Sequence, residues 1–251
     1  MPEPSHHGRV ARGQHLDWEG CWNARDLGGI ATTDGRQIRP GALVRSESLH
    51  RLTGPGWAAL SAHGIRTLVD LRNAEQAAAE PQTPPAGIST VSVPLEEGLD
   101  DDLEFAAWMS SGLWTTPLYY ATFLRRWPDR CASAVAAVAH APPGGVLVHC
   151  GKGCDRTGLV VLLLLSVAGV GPEHIVADYL LTADRLRSPA AVRLGLEDHN
   201  HEIEAVLDRE GTTLRAALLD TLASVDLVAC LRDGGLTTAE EAAVRQRLVA
   251  P

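Results

Sequence analysis

The chain has 251 residues, 45% of them hydrophobic, which is enough for one substantial core and excludes a globally disordered protein. Its net charge of -9 disfavours a broad nucleic-acid-binding surface, because such surfaces are usually basic. Five cysteines without CxxC spacing, in a chain with no recognisable export signal, favour neither a disulfide framework nor a zinc site.

The N-terminal part predicts a flexible segment followed by alternating strands and helices. Residues 1–16 are polar and contain Pro, Gly and His, so we interpret them as a leader ahead of a single domain over residues 17–251. The apolar runs Ala42–Arg45 and Arg66–Leu71 predict buried strands, and Gly54–His63 between them predicts a helix that a glycine ends.

The middle of the chain predicts a third strand, an acidic loop and a broken helix. Gly87–Leu95 has the apolar spacing of a strand, and the acidic residues 96–102 after it predict a mobile loop. Leu118–Ala139 has helical periodicity but contains a proline, which predicts a break at Trp127.

A short apolar strand is predicted over Gly145–His149, and a helix over Thr157–Ala168. The most apolar stretch, Leu159–Val170, is too short to cross a bilayer and predicts a core helix in a cytoplasmic protein. Further helices are predicted over Glu173–Leu181, Ala190–Arg209, Thr212–Ser224 and Thr238–Leu248, the last capped by Thr238. Strands alternating with helices indicate an α/β fold with a mainly parallel sheet, and the helical C-terminal portion is expected to include a lid.

The segment between that strand and helix carries the chemistry, and residues 150–156 are called the Cys150 loop below. Cys150 at the strand end would be a thiolate nucleophile, because a helix N-terminus and nearby cations stabilise negative charge on sulfur. Backbone N–H groups around the loop can surround an anion, and the guanidinium of Arg156 can bind two phosphate oxygens at once. The pattern therefore predicts an enzyme that attacks phosphorus.

Other positions in this segment have supporting roles. The phosphate-binding residues would be Gly151, Lys152, Gly153, Cys154, Thr157 and Gly158. Lys152 is the only lysine among 22 Lys and Arg residues, Thr157 could donate to the sulfur, and His149 would orient the loop through the backbone. A structural cysteine beside a chance Gly/Arg pattern fits the full string HCxxGxxRTG poorly.

At these residues the sequence resembles the cysteine-dependent protein tyrosine phosphatase superfamily, in particular bacterial tyrosine and dual-specificity members with an HCxxGKDRTG loop. The resemblance runs in order through further segments: Asn23–Gly29 is similar to an NFRDLGG box, Gly41–Ser46 to GxLxRS, Gly64–Arg72 to GIxTVxDLR, Asp178–Leu181 to DYLL, and Leu231–Leu248 to LRxxGLS…LR.

The resemblance implies a mainly parallel sheet of four or five strands flanked by helices, no metal or other cofactor, and a cysteinyl-phosphate intermediate. It implies that Cys150 is the nucleophile, that Arg156 and the loop amides bind phosphate, and that Asp155 transfers protons. Two positions depart from the family pattern. Cys154 replaces the usual lysine, which leaves activity on phosphoinositides open, and Ala24 replaces an aromatic residue.

Three roles stay open in the sequence. The general acid is expected to be Asp155, and the alternative is a member of the acidic cluster Glu96, Glu97 and Asp100–Asp102. The other interpretation of that cluster is a solvated loop. Cys154 either traps oxidised Cys150 as a disulfide or is a small side chain at the loop rim. Aromatic residues either line a substrate pocket or pack in the core: Trp108, Trp114, Tyr119 and Tyr120.

The expected function is hydrolysis of phosphotyrosine, with phosphoserine and phosphothreonine as further substrates. The alternatives are a phosphoinositide phosphatase, a sulfurtransferase, and a phospho-binding or redox-sensing pseudophosphatase. The expected partner is a phosphorylated protein or a small phosphomonoester. We expect no nucleic-acid binding, no stable membrane association and a monomer.

Overall fold

The computed structural model describes residues 13–186, 188 and 200–251, and its centre is a six-stranded mixed sheet. The strands are β1 (Gln14–His15), β2 (Arg25–Asp26), β3 (Leu43–Ser46), β4 (Ile65–Asp70), β5 (Ser89–Ser92) and β6 (Gly145–His149), in the sheet order β1-β2-β3-β6-β4-β5. The four longer strands pair in parallel, whereas β1 and β2 add an antiparallel edge.

The expected count of four or five strands was too low because β1 and β2 have two residues each, too few to show an alternating pattern. Strand β1 also lies inside the predicted leader, so the part of that segment that the structure describes includes an edge strand of the sheet. Residues 1–12 lie outside the described residues. Strand β5 is shorter than the predicted Gly87–Leu95 and is exposed, including its Val91, because it forms the other edge of the sheet.

The helices surround this sheet. They are α1 (Gly54–Ala62), α2 (Ala74–Ala79), α3 (Leu103–Ser111), α4 (Tyr120–Arg126), α5 (Pro128–His140), α6 (Asp155–Val167), α7 (Pro172–Leu186), α8 (Asn200–Arg209), α9 (Leu214–Ser224), α10 (Leu227–Asp233) and α11 (Thr238–Leu248). The predicted break at Trp127 is confirmed, since it separates α4 from α5. Of the predicted helix from Ala190, the first ten residues lie outside the described part of the chain.

Three short helices, α2, α3 and α10, were not predicted, and one cap was assigned wrongly. The N-cap of α11 is Thr237, whose hydroxyl accepts from the N–H of Glu240 while the Glu240 carboxylate accepts from the N–H of Thr237. This reciprocal pair is a capping box, so the predicted cap Thr238 is the first residue inside the helix.

Helix α6 is the central helix of the core. Every side chain from Leu159 to Leu165 is buried, because helices α5, α7, α10 and α11 and the sheet surround it. This confirms that the apolar stretch is a core helix. No helix in the described ranges has both the length and the apolar character needed to span a membrane.

The sheet register places three chain exits side by side. Ser46 at the end of β3 and Asp70 at the end of β4 both pair with His149 at the end of β6. The segments that leave these parallel strands therefore meet at the carboxyl ends of the strands, where α/β proteins place their ligands. The Cys150 loop is the middle segment of the three.

Candidate active site

The Cys150 loop joins the end of β6 to the first turn of α6. Helix α6 begins at Asp155, two residues earlier than predicted, so Asp155 and Arg156 lie in its first turn. Gly153 has a φ of 70°, and a Cβ atom there would lie 2.4 Å from the carbonyl oxygen of Ser46. Only glycine fits this turn, because both the positive φ and the close approach to β3 exclude a side chain.

The carbonyl groups of the Cys150 loop are held from outside the loop. Each carbonyl oxygen from residue 150 to residue 155 lies within hydrogen-bonding distance of a donor. The donors in chain order are His149 Nδ1 (3.3 Å), the N–H of Ser48 (2.8 Å), the Asn23 side-chain amide (3.2 Å), the Arg45 guanidinium (2.8 Å), the N–H of Gly158 (2.7 Å) and the Tyr120 hydroxyl (2.6 Å).

The N–H groups of the same loop remain available for a ligand. None of those from Gly151 to Arg156 donates a hydrogen bond to another residue within the described ranges. Because each peptide unit points its C=O and N–H in opposite directions, carbonyls held outward turn these N–H groups towards the concave side. Successive N–H groups at a helix start form an anion-binding concavity.

A buried ion-pair cluster supports the loop from behind. Asp178 of α7 accepts hydrogen bonds from Arg25 of β2 at 2.8 Å and from Arg45 of β3 at 2.7 Å. Burial opposes ionisation of Asp178, but the two guanidinium groups lower its pKa below the ordinary value. Two cations and one anion leave net positive charge beneath the loop. Three segments of the family resemblance supply the three residues.

The segment before β2 is fixed by Glu47, which follows β3. The Glu47 carboxylate accepts from the backbone N–H groups of Trp22 and Asn23, the latter at 2.8 Å, and from the Cys21 thiol at 3.2 Å. These contacts place the Asn23 amide against the loop carbonyl of Lys152. The residue missed by sequence reasoning here is Glu47, because nothing in its local pattern distinguishes it from a surface acid.

Arg156 is buried and already has partners. Its Nη1 donates to the Gln76 side-chain carbonyl at 2.7 Å, and its Nε lies 3.4 Å from the Glu96 carboxylate. A Cβ atom on Gly151 would lie 4.0 Å from Nη2, so this end of the guanidinium lies next to the start of the Cys150 loop. The structure therefore places Cys150, the loop amides and Arg156 together.

Asp155 is a carboxyl group with a high affinity for its proton. Burial, and next the negative charge of Glu96, raise the pKa of Asp155 to about 7, although Arg156 opposes the shift. Its Oδ1 is buried and has no hydrogen-bond partner among the described residues. A carboxyl group that holds its proton near neutral pH can act as a general acid.

His149 is neutral at physiological pH. Burial lowers its pKa to about 4, against the influence of Asp70. Nδ1 faces the Cys150 carbonyl oxygen, and Nε2 lies 3.4 Å from the side-chain amide nitrogen of Gln82, an arrangement that fits a proton on Nδ1. The predicted backbone contact of His149 is confirmed.

Two roles predicted for loop residues do not agree with the structure. The Thr157 hydroxyl is buried and donates to no described group, so the predicted bond to the Cys150 sulfur is absent. Cys154 is not at the rim: its Sγ is buried, 3.7 Å from the Tyr179 hydroxyl, and burial raises its pKa well above the ordinary value. Cys150 and Cys154 are both free thiols.

The acidic segment after β5 is not simply a solvated loop. Glu96 is buried against Arg156, and Asp102 caps α3 by accepting from the N–H groups of Glu104 and Phe105. The remaining acidic residues of the segment are exposed: Glu97, Asp100 and Asp101. The sequence did not separate Glu96 from them, because its burial depends on contacts with distant elements.

A cleft of about 870 Å³ opens beside Gly151 and Lys152. Its walls include Trp18, Trp22 and Arg185, whose guanidinium stacks 4.1 Å from the Trp22 ring. The aromatic residues proposed for a pocket wall lie elsewhere. They pack against the core, with Trp108 and Tyr119 in an aromatic cluster and Tyr120 against the Cys150 loop. No described cluster of His, Cys, Asp and Glu is arranged to hold a metal ion.

The comparisons with known proteins agree on one family. A family model described as the tyrosine phosphatase family matches residues 16–250. The triple specificity protein phosphatase PtpB of Mycobacterium tuberculosis is 32% identical over 193 residues, which is 66% of this chain and 68% of that protein.

Two further relatives match shorter fractions of their own length. A Cupriavidus necator protein, whose name assigns it provisionally as a tyrosine-protein phosphatase, is 32% identical over 181 residues, 69% of this chain and 65% of that protein. A tyrosine-protein phosphatase of Nostoc commune is 31% identical over 160 residues, 58% of this chain and 49% of the relative. The chain thus matches between about half and two thirds of the length of these relatives.

Proposed function

The chain belongs to the tyrosine phosphatase family, and on that premise we propose that it hydrolyses phosphotyrosine in proteins, and phosphoserine and phosphothreonine as well, through a cysteinyl-phosphate intermediate. The observation that carries this proposal is the ring of outward-held carbonyls, which leaves the N–H groups of the Cys150 loop to face its concave side. Such a ring suits a tetrahedral dianion.

In the first step, the Cys150 thiolate attacks phosphorus in line with the ester oxygen. The N–H groups of the loop and the guanidinium of Arg156 bind the three equatorial oxygens, whose charge is spread in the transition state. The P–O bond to the leaving group breaks while the P–S bond forms. Protonated Asp155 gives its proton to the leaving oxygen, so that an alcohol or a phenol departs.

In the second step, water attacks the cysteinyl phosphate. Asp155, now a carboxylate, takes a proton from that water, the P–S bond breaks, and the Cys150 thiolate is restored as inorganic phosphate leaves. Asp155 thus acts as an acid in the first step and as a base in the second, which its pKa of about 7 supports.

The cleft supports an aryl substrate. Trp18 and Trp22 line it close to the Cys150 loop, and an aromatic ring packs favourably against such side chains. Lys152 borders the cleft, whereas Cys154, which replaces the usual lysine of the family, is buried. A phosphoinositide is the main alternative substrate, because the sequence resemblance left that activity open. A cytoplasmic monomer stays a prediction from the sequence.

The test is hydrolysis by the wild type and by Cys150→Ser, with a chelator present. Phosphotyrosine and phosphoserine peptides, a soluble phosphoinositide and thiosulfate with cyanide would be compared. We expect wild-type turnover of the phosphotyrosine peptide and none by Cys150→Ser. Faster turnover of the phosphoinositide would favour a lipid phosphatase, thiosulfate turnover a sulfurtransferase, and binding without turnover a pseudophosphatase.

A further inference from the structure

Glu96 is a buried carboxylate on a segment that the fold holds in place. The segment follows β5, and the guanidinium of Arg130 on α5 donates to its carbonyl oxygens at Leu95 (3.0 Å) and Glu97 (2.8 Å). The Leu99 N–H also donates to the Glu96 carbonyl oxygen at 3.3 Å. A charged side chain is rarely buried without a specific partner, so its surroundings require explanation.

The partner of Glu96 is the phosphate-binding side chain itself. Its carboxylate lies 3.4 Å from Arg156 Nε, while Gln76 of α2 accepts from Arg156 Nη1 at 2.7 Å. The guanidinium is thus held from two sides. Nε and Nη1 face protein acceptors, and Nη2 faces the Cys150 loop.

Glu96 and Asp155 both interact with the guanidinium of Arg156. Other charged or titratable groups also act on Glu96: Arg130, Asp100 and Tyr119. Those acting on Asp155 are Arg156, Lys152, Cys154, Tyr119, Tyr120 and Tyr179. Both Asp155 Oδ1 and the Tyr119 hydroxyl are buried without a partner in the described part of the chain. Two carboxylates beside one guanidinium cannot both ionise without cost, and a bound phosphate dianion would add further negative charge.

We propose that Glu96 is a positioning residue of the active site, which orients Arg156 together with Gln76 and keeps the catalytic proton on Asp155. This inference rests on the proposed phosphatase activity. Glu96 exchanges no proton with substrate. Burial raises the pKa of Glu96 itself, but Arg156 and Arg130 favour its ionised form, and that negative charge disfavours a second carboxylate next to it. Asp155 therefore stays protonated until the leaving oxygen takes the proton. The raised pKa of Asp155, to which Glu96 contributes, agrees with this role.

Glu96→Gln tests the proposal because it removes the charge and keeps an oxygen that can accept from Arg156. The measurement is the pH dependence of kcat/KM for phenyl phosphate, a substrate whose poor leaving group needs the acid. We expect the basic limb to move to lower pH by about one unit, since a nearby like charge raises a carboxyl pKa by at least that much. The exposed neighbour variant Glu97→Gln should leave the limb where the wild type has it.

A double variant shows whether Glu96 acts through Asp155. Asp155→Asn should remove the basic limb. Adding Glu96→Gln to that variant should then leave the pH dependence of kcat/KM unchanged. If Glu96→Gln does not fold, Glu96→Asp replaces it: the charge is kept, so the limb should stay while the inhibition constant for vanadate rises.

Two outcomes would overturn the proposal. One is an active Glu96→Gln enzyme whose basic limb coincides with that of the wild type, and the other is a limb lost in Glu96→Asp. The proposed function fails separately, through a wild-type enzyme without Cys150-dependent turnover.

Discussion

The guanidinium of Arg45 donates a 2.8 Å hydrogen bond to the carbonyl oxygen of Gly153, at the point where the Cys150 loop turns back against β3. The other arm of the same guanidinium binds Asp178, so the loop, the sheet and α7 are joined by one buried side chain. The shape of the site therefore depends on the buried side chains beneath the Cys150 loop as much as on the residues that face the substrate.

Replacing each of the two buried arginines in turn separates the role of the loop contact from that of the ion pair. Arg45→Met should lower kcat by about tenfold or more, because a lost hydrogen bond to a charged donor costs about 1.5–3 kcal/mol. Arg25→Met should lower the free energy of unfolding more, since Arg25 donates to Asp178, Thr182 and Asn23. Urea unfolding and steady-state kinetics on both variants would measure this. If one variant lost more than the other in both kcat and the free energy of unfolding, this separation of the two roles would be wrong.

Glycine at position 153 should be indispensable. Gly153→Ala combines a positive φ with a clash against the Ser46 backbone, so we expect activity to fall by at least a hundredfold. Gly169→Ala is the matched control, because its φ is 83° and a Cβ there meets nothing within 4 Å. Both variants carry similar backbone strain. Equal activity in the two folded proteins would show that the loop turn does not matter.

The pH dependence should follow Asp155. Its pKa of about 7 means that the protonated acid is abundant below pH 7 and is lost above it. The kcat/KM for phenyl phosphate should therefore fall as pH rises through about 7, and Asp155→Asn should remove this limb and lower the rate below pH 7. With p-nitrophenyl phosphate, whose leaving group needs little protonation, the loss should be small. An unchanged limb in Asp155→Asn would assign the acid elsewhere.

Lys152 should contribute to substrate affinity and not to chemistry. It borders the cleft, so Lys152→Ala should raise KM for phosphotyrosine peptides with acidic neighbours by about two- to fivefold, the range of an exposed ion pair. The kcat for p-nitrophenyl phosphate should stay unchanged. Lys152→Arg keeps the charge and should retain the wild-type KM. A fall in kcat with both substrates would instead place Lys152 in the chemical step.

The local pattern was sufficient for the strand and helix around Cys150. Five consecutive residues of β6 are apolar or buried and follow a Pro-Pro-Gly turn, and the segment Leu159–Leu165 of α6 is apolar throughout, so both were recognisable. The meeting of Cys150 with Arg156 follows from their spacing on one loop. Chain order through the resemblance also indicated that Arg25, Arg45 and Asp178 belong to one domain.

Contacts between distant elements could not be predicted in the same way. Glu96 resembles its acidic neighbours in sequence, and only the Arg130 contacts and the position of Arg156 bury it. A rim position was one of two alternatives for Cys154, because the family pattern has a lysine there, but the helix begins two residues early and the Cys154 thiol lies near the Tyr179 hydroxyl. The stacking of Trp22 on Arg185 joins residues 163 positions apart.

Capture of the phosphorylated enzyme tests whether Cys150 is the nucleophile. Wild type mixed with a phosphotyrosine peptide, quenched in acid and digested would be examined by mass spectrometry, with Cys154→Ser as the control and Cys150→Ser as the nucleophile variant. We expect one phosphoryl group on Cys150 in the wild type and in Cys154→Ser, and none in Cys150→Ser. A phosphoryl group on another residue, or turnover by Cys150→Ser, would contradict this role of Cys150.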